Sequence, residues 1–405
     1  MSRRWPLPQV RIAQGGAFAA LAVLTVLAIR LPGTGDMEIW ERWISNAGRL
    51  GILEGFTENA ADYPPGASMV LWSAGMVGTA LGWVPAAAIK FSLAVGLGVA
   101  LIAFFAWTRN RAATLGLWAA VLLNSVALGY LDIYTAPFLV LSLRALSEAR
   151  NGWALTWFTV ACLLKWQPAL IGPFLLLHVI GTVRRPTLDD TRRVAWLLAP
   201  SAAVVLVVVV AFGAMPVAWA FARSLGHRSL SADALNLGWV ITWLQQGAAH
   251  GGDALFDRVV YVARAPLWAR LGAKMLFAGQ FVVLLWRYAR RPASFDRTLA
   301  YALMGSLAYV IFNSGVHENH WFVPTVLAVA LAARDAAWRA PAIAIGGLAN
   351  LNLLLFYGFS GHGPGDSRVI GIDITVPLSM LAVAFYVWMW RRLWRQDGGY
   401  SSTRQ

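Results

Sequence analysis

Four short stretches carry residue types able to do chemistry in a chain where such types are scarce. They are Gly33-Thr-Gly-Asp-Met-Glu38, Asp62-Tyr-Pro-Pro65, Lys165-Trp-Gln-Pro168 and His317-Glu-Asn-His320. A carboxylate at Asp36, or at Glu38 beside it, can take a proton as a general base. A lysine ammonium at 165 and imidazole N–H groups at 317 and 320 can hold a phosphate oxygen. Gln167 and Glu318 add polar side chains beside them.

Each stretch also has a plainer reading. Asp36 precedes a helical pattern and suits an N-cap. Lys165 reads as an anchor snorkelling to the membrane surface as readily as a phosphate ligand. His317, Glu318 and His320 read as a polar turn, a phosphate grip or a metal pair. His-x-x-His in a short loop is not the i, i+4 helical spacing of zinc hydrolases, so no metal site is assigned, and the residue types leave a divalent ion open. Asp132, in Gly129-Tyr-Leu-Asp132, caps a tight turn or edges the site.

The elements that must position these residues are hydrophobic. The 405 residues are 59% hydrophobic and 13% charged, with a mean hydropathy of +0.60, and the apolar runs recur along the whole chain. Windows of ~20 apolar residues, enough to cross a bilayer core, can be placed about twelve times. An all-α polytopic membrane bundle of about 12 spans follows. The net charge of +14 comes from short Arg clusters between spans, which mark cytoplasmic loops and anionic headgroups and argue against nucleic acid as a partner. The only cysteine, Cys162, lies inside an apolar run, so there is no disulfide framework.

Placing the Arg clusters in the cytoplasm selects spans near 12–31, 85–107, 113–131, 134–147, 153–165, 168–182, 194–213, 266–286, 298–313, 321–333, 341–358 and 373–390. The first span follows Arg3, Arg4 and Arg11 and is too long for a signal peptide core, so it is read as retained. Arg109, Arg111, Arg150, Arg184 and Arg185 then fall inside, and both termini are cytoplasmic. The run 67–83 becomes a membrane-dipping part of a long first outer loop, 32–83, and a second outer loop covers 214–265. No repeat or linker divides residues 1–405, which read as a single membrane domain.

With sides assigned from Arg alone, Asp36, Glu38, Glu41, Asp62, Asp132, Lys165, Gln167, His227, His317, Glu318, His320, His362 and Asp366 converge on the outer face. Ile39, Trp43, Ile44 and Ala47 share one face of the pattern after Asp36, as in an amphipathic helix lying on the membrane. Tyr63, Pro64 and Pro65 make a rigid turn into the next apolar segment. Trp40, Trp43, Trp239 and Trp243 are read as headgroup-level aromatics before sugar-stacking ones. Lys90 is read as snorkelling. No role is assigned to His227, Arg228 or Asp253 of the second loop.

In this order, Asp36 with Glu38 and Trp43, Asp62-Tyr-Pro-Pro65, Lys165-x-Gln167-Pro168 and His317-Glu-Asn resemble the GT-C superfamily of integral-membrane glycosyltransferases. The pattern looks most like bacterial proteins related to the second mannosyltransferase of GPI-anchor synthesis. It is also similar to the dolichyl-phosphate-glucose-dependent glucosyltransferases, from which Asn319 departs where those carry Lys. The resemblance implies a polyprenyl-phosphate-linked sugar donor, mannose favoured, and a glycolipid or glycan acceptor at the outer face of a bacterial inner membrane. It implies inverting transfer without a cofactor and with Asp36 as base. A lipid-linked sugar flippase is the competing reading, expected to show broken helices at the midplane or two related halves. An acyltransferase built on His317 is a third.

Overall fold

The computed structural model describes residues 7–181, 188–249, 259–291, 294–363, 367–369 and 371–399. Arg3, Arg4, Arg184, Arg185, Asp253 and Asp366 lie outside them. Helices carry nearly all of the described chain. α1 (Leu7–Ile29), α2 (Asp36–Leu50), α3 (Ile52–Glu58) and α4 (Pro65–Ala80) are followed by α5 (Pro85–Thr108) and α6 (Arg111–Leu122). Next come α7 (Ala136–Ser147), α8 (Asn151–Leu164), α9 (Gly172–Ile180), α10 (Leu188–Phe212) and α11 (Ala214–Ser224). The two-residue strand β1 (Ser231–Ala232) precedes α12 (Leu237–Ala249), α13 (Leu267–Ala289) and α14 (Phe295–Phe312). The strand β2 (Val316–His317) leads to α15 (Phe322–Arg334) and α16 (Arg339–Tyr357), and a short hairpin, β3 (Arg368–Val369) with β4 (Ile372–Asp373), precedes α17 (Thr375–Gly399). The class is all-α.

Each of the twelve ranges expected to span overlaps a helix, but 113–131 runs from α6 through a π-helical turn into a break at 128–130, and 168–182 holds only the nine residues of α9 after a 3-10 turn. Among the described residues, five segments are long and apolar enough by themselves to cross a membrane: those of α1, α5, α10, α13 and α16. α1, α10 and α13 leave most of their apolar side chains exposed, whereas α14 and α15 are buried almost throughout. In lipid, side chains exposed on an apolar helix face acyl chains and need no protein partner. α14 and α15 therefore form the centre of the bundle, and the His317–His320 turn joins them at one end of the core.

Three expectations are corrected. The apolar face of α2 does not lie open to a membrane: Met37, Trp40, Trp43, Ile44 and Ala47 are buried against protein. Close packing requires glycine, since a Cβ on Gly75 of α4 would stand 2.5 Å from Ile44 Cγ2. Lys90 does not snorkel. It is buried in α5 and donates to the carbonyls of Val126 at 2.8 Å and Ala127 at 2.6 Å. These end a π-helical turn, Leu123–Ala127, so a cation meets the negative end of a helix inside the bundle. The tryptophans are interior: Trp40, Trp43 and Trp239 are buried, and the Trp239 indole donates to Thr375 Oγ1 at 2.7 Å.

Candidate functional site

Two of the four chemical stretches are locked to each other by backbone approach. Pro64 is extended, and Pro65 opens α4, where a missing N–H costs nothing. Gly66 then sits so close to the end of α8 that a Cβ would stand 2.4 Å from the Leu163 carbonyl oxygen. On the facing turn, the Trp166 indole donates to the Asp62 carbonyl at 2.9 Å. The Asp62–Pro65 turn thereby sets the position of Lys165. Gly66→Ala is expected to lower stability by ~1–3 kcal/mol through overpacking, which thermal unfolding in detergent checks.

Asp36 is the first residue of α2. Gly35 occupies the cap position with no side-chain hydrogen bond, so Asp36 is not the N-cap its sequence position suits. The loop before it is pinned from behind. Thr34 N donates to the Leu128 carbonyl at 2.9 Å, and the Trp40 indole donates to the Gly129 carbonyl at 3.1 Å. Gly33, at φ +85°, passes where a Cβ would meet Leu128 O at 2.9 Å. Among the described residues no group hydrogen-bonds the Asp36 carboxylate, which lines the main cavity. Burial pushes its pKa up to about 6, with Lys165 opposing and Asp62 and Asp132 adding to the rise. A carboxylate with a pKa near neutral and no protein partner suits proton abstraction.

Glu38 is placed differently. Two residues along a helix is about 200° of rotation, and Glu38 is exposed and does not line the cavity. It cannot stand in for Asp36.

Lys165 follows the last residue of α8 and is buried. Its Nζ lies 2.7 Å from Asp132 Oδ1 and 5.2 Å from the centre of the Tyr63 ring. Asp132 is buried on the 3-10 turn Leu131–Thr135 and also accepts from Asn319 Nδ2 at 3.2 Å. Lys165 lines the cavity, while Asp132 stands behind it and aims it. Asn319 therefore braces the ion pair through Asp132. Beside Lys165, Gln167 is buried on the cavity wall with neither amide atom partnered. A buried amide without partners costs free energy unless something else binds it.

The fourth stretch forms the facing wall. β2 pairs in parallel with β1, with Ala232 opposite His317, and a 3-10 turn, Glu318–Trp321, follows. His320 Nδ1 accepts the His317 backbone N–H at 3.2 Å, which leaves Nε2 as the protonated nitrogen of a neutral ring. His317 Nε2 and His227 Nδ1 share a hydrogen bond at 3.3 Å. Burial, then His227 and Lys165, hold the His317 pKa down at about 3, and burial first of all lowers that of His320. Both rings are neutral; the His317 side chain accepts the His320 backbone N–H and its Nε2 is engaged with His227, so His320 Nε2–H is the imidazole donor left for a ligand, and the lysine of the site is Lys165. Glu318 accepts from the Tyr130 hydroxyl at 2.5 Å, and burial pushes its pKa up to about 8. Near neutral pH it is a carboxylic acid with a proton to donate.

These walls enclose a cavity of about 850 Å³. Its polar part carries Asp36, Asp62, Tyr63, Lys165, Gln167, His317, Glu318, Asn319 and His320. Trp40 and Trp43 stack edge-on with Tyr63 beside Asp36. Pro64 and Pro65 are buried behind Tyr63, outside the lining. One arm of the cavity is apolar, formed by Phe221, Leu225, Phe277, Phe281 and Val282. Val282 is 62% exposed and Leu225 58%, so this arm opens on the side of the bundle.

Sequence reasoning missed His227, Asp233, Tyr130, Tyr309 and Tyr357, all of which line the cavity. His227 and Asp233 come from the second loop, for which the sequence supplied no role. Their one signal is that they are titratable residues on the same predicted side as Asp36. His362 does not line the cavity. Among the described residues no group of three or more His, Cys, Asp or Glu could hold a metal ion. In comparison with known proteins, the chain matches no family model and no curated protein.

Proposed function

We propose that the chain is an integral-membrane glycosyltransferase of GT-C type, a bundle of about twelve spans. It moves a hexose, mannose favoured, from a polyprenyl-phosphate-linked donor to a glycolipid or glycan acceptor at the outer membrane face. One observation carries the reading. A single cavity joins an unpartnered carboxylate, a braced lysine and a buried amide without partners to an apolar arm that opens sideways where lipid would lie. An amphiphile with a phosphate-sugar head and a long apolar tail matches both parts.

Asp36 takes the proton of the acceptor hydroxyl as that oxygen attacks the anomeric carbon. The bond from carbon to phosphate oxygen breaks, and the phosphate leaves with its electron pair. Lys165 neutralises the charge that develops, while His320 and Gln167 donate hydrogen bonds. Attack from the face opposite the phosphate inverts the anomeric centre. Phosphate needs no protonation to leave beside a fixed cation, so one carboxylate suffices.

The test is transfer of radiolabelled hexose from polyprenyl-phosphate-mannose or polyprenyl-phosphate-glucose by the purified full chain. Formation of a glycosidic bond with inverted configuration supports the reading. Movement of donor across a vesicle membrane with the sugar-phosphate bond intact supports a flippase instead and overturns it. The orientation has its own check. Glu38 is exposed beside the site without lining it, so Glu38→Cys in a Cys162→Ala background is expected to react with a membrane-impermeant maleimide in intact cells. Reaction only after permeabilisation would put the site on the inner face.

A further inference from the structure

Asp233 is held in an uncommon backbone conformation by a purpose-built surround. It follows β1 at φ +57°, in the left-handed region that L residues seldom adopt and that Asp tolerates better than most. Asn352, fully buried on α16, clamps the turn. Its Nδ2 donates to the Asp233 carbonyl at 3.2 Å, and its Oδ1 accepts the Leu235 N–H at 2.6 Å. Ser231 closes the same turn by accepting the Ala234 N–H at 3.2 Å. Strained conformations persist where the surroundings over-determine them, and they cluster at ligand sites.

What this surround aims is a carboxylate. Asp233 lines the cavity, and its Oδ2 accepts the Tyr357 hydroxyl at 3.1 Å. Among the described residues Oδ1 has no hydrogen-bond partner, although each carboxylate oxygen can accept two hydrogen bonds. The register of β1 with β2 sets Ala232 against His317, so Asp233 comes one residue beyond His317, on the wall whose His320 is proposed to donate to the donor phosphate. The group bonded directly to that phosphate is the sugar.

Resting on the glycosyltransferase reading, we propose that Asp233, braced by Tyr357, accepts hydrogen bonds from hydroxyls of the transferred sugar and restricts the donor to sugars without an anionic substituent. Two features give the restriction. The cavity holds one lysine, already facing Asp132 and the donor phosphate, against the carboxyl groups of Asp36, Asp62 and Asp233. A uronic acid would bring its carboxylate against Asp233 with no free cation lining that wall, and like charges brought together in a desolvated site repel.

The experiment compares short-chain polyprenyl-phosphate-mannose, -glucose and -glucuronate as donors for the purified full chain, in wild type, Asp233→Ala, Asp233→Asn and Tyr357→Phe. Wild type is expected to use at least one hexose and to use glucuronate roughly a hundredfold less well. Asp233→Ala should raise the hexose donor KM roughly ten- to a hundredfold, the worth of hydrogen bonds to a charged group, with a smaller change in kcat. Asp233→Asn should narrow the gap between hexose and glucuronate. Tyr357→Phe removes one hydroxyl and keeps the ring, so it reads the same wall if Asp233→Ala fails to fold; it should raise donor KM several-fold. A donor KM within twofold of wild type in Asp233→Ala, or in Tyr357→Phe where the former does not fold, overturns the proposal and leaves glycosyl transfer standing. So does equal wild-type use of hexose and glucuronate. Consumption of no lipid-linked sugar by wild type overturns the parent reading and this one with it.

Discussion

Asp36→Asn is expected to abolish measurable sugar transfer, with kcat falling by roughly 10²–10⁴, the range supplied by a positioned general base. The substitution is close to isosteric. No hydrogen bond from a described residue to the carboxylate is lost, because Gly35 and not Asp36 occupies the cap position. The fold and donor binding should therefore survive, and thermal unfolding with donor-binding measurements separates a dead site from a damaged protein. The pH profile adds a second signature. Asp36 acts as a carboxylate and its pKa is pushed up to about 6, so kcat/KM rises as pH climbs through that value. Glu318, pushed up to about 8, loses its proton above that pH and adds negative charge near the donor phosphate, so kcat/KM falls. The expected profile is a bell with its top between pH 6 and 8. Glu38→Gln, altering an exposed side chain outside the cavity, should stay within twofold of wild type. Full turnover by Asp36→Asn, or a profile without an acidic limb, would remove Asp36 from the role of base.

The helices and the chemistry of the site were legible in the sequence to different depths. Apolar runs and proline placement located most of the helices, since a chain in lipid must satisfy its backbone internally and has few other options, but α11 and α12 fall in the range read as the second outer loop. The side chains that met across the cavity came from stretches whose scarcity of polar residues made each polar group conspicuous. Periodicity misled at α2, because an apolar face reads the same whether it meets lipid or protein. Trp40 and Trp43 were assigned to headgroups for that reason, and the structure packs them against Tyr63. Tyr130, Tyr309 and Tyr357 carried no signal, because an aromatic in or beside an apolar run reads as core. The approach of Tyr130 to Glu318, 188 positions away, and of Tyr357 to Asp233, 124 positions away, reveals hydroxyls with work to do. The parallel pairing of β1 with β2 involves two residues on each side, too few for any alternating pattern, yet it sets Asp233 and His317 on one wall. Glu38 was separable in principle: two helical positions from Asp36 is the opposite side.

Lys165 offers the sharper separation of structure from function, because it belongs to a buried ion pair and to the cavity at once. Lys165→Met alone is expected to destabilise the chain by ~3–5 kcal/mol, since Asp132 would remain buried with Asn319 as its main partner. Loss of transfer in that variant would be ambiguous. Adding Asp132→Leu removes the orphaned charge, and replacing a buried pair by apolar side chains of similar size is often neutral in stability. The double variant should therefore unfold near the wild-type temperature. Transfer should stay low, by ~10²–10³ in kcat, the cost of removing one group that stabilises developing negative charge. Asp132→Asn gives the intermediate case, in which Lys165 keeps its charge but loses the carboxylate that aims it, so donor binding should weaken less than in the double variant. If the double variant recovers stability and transfer together, Lys165 only neutralises Asp132, and the donor phosphate is held by other groups. If stability returns and transfer does not, the ion pair is a mount for a cation whose task lies in the cavity.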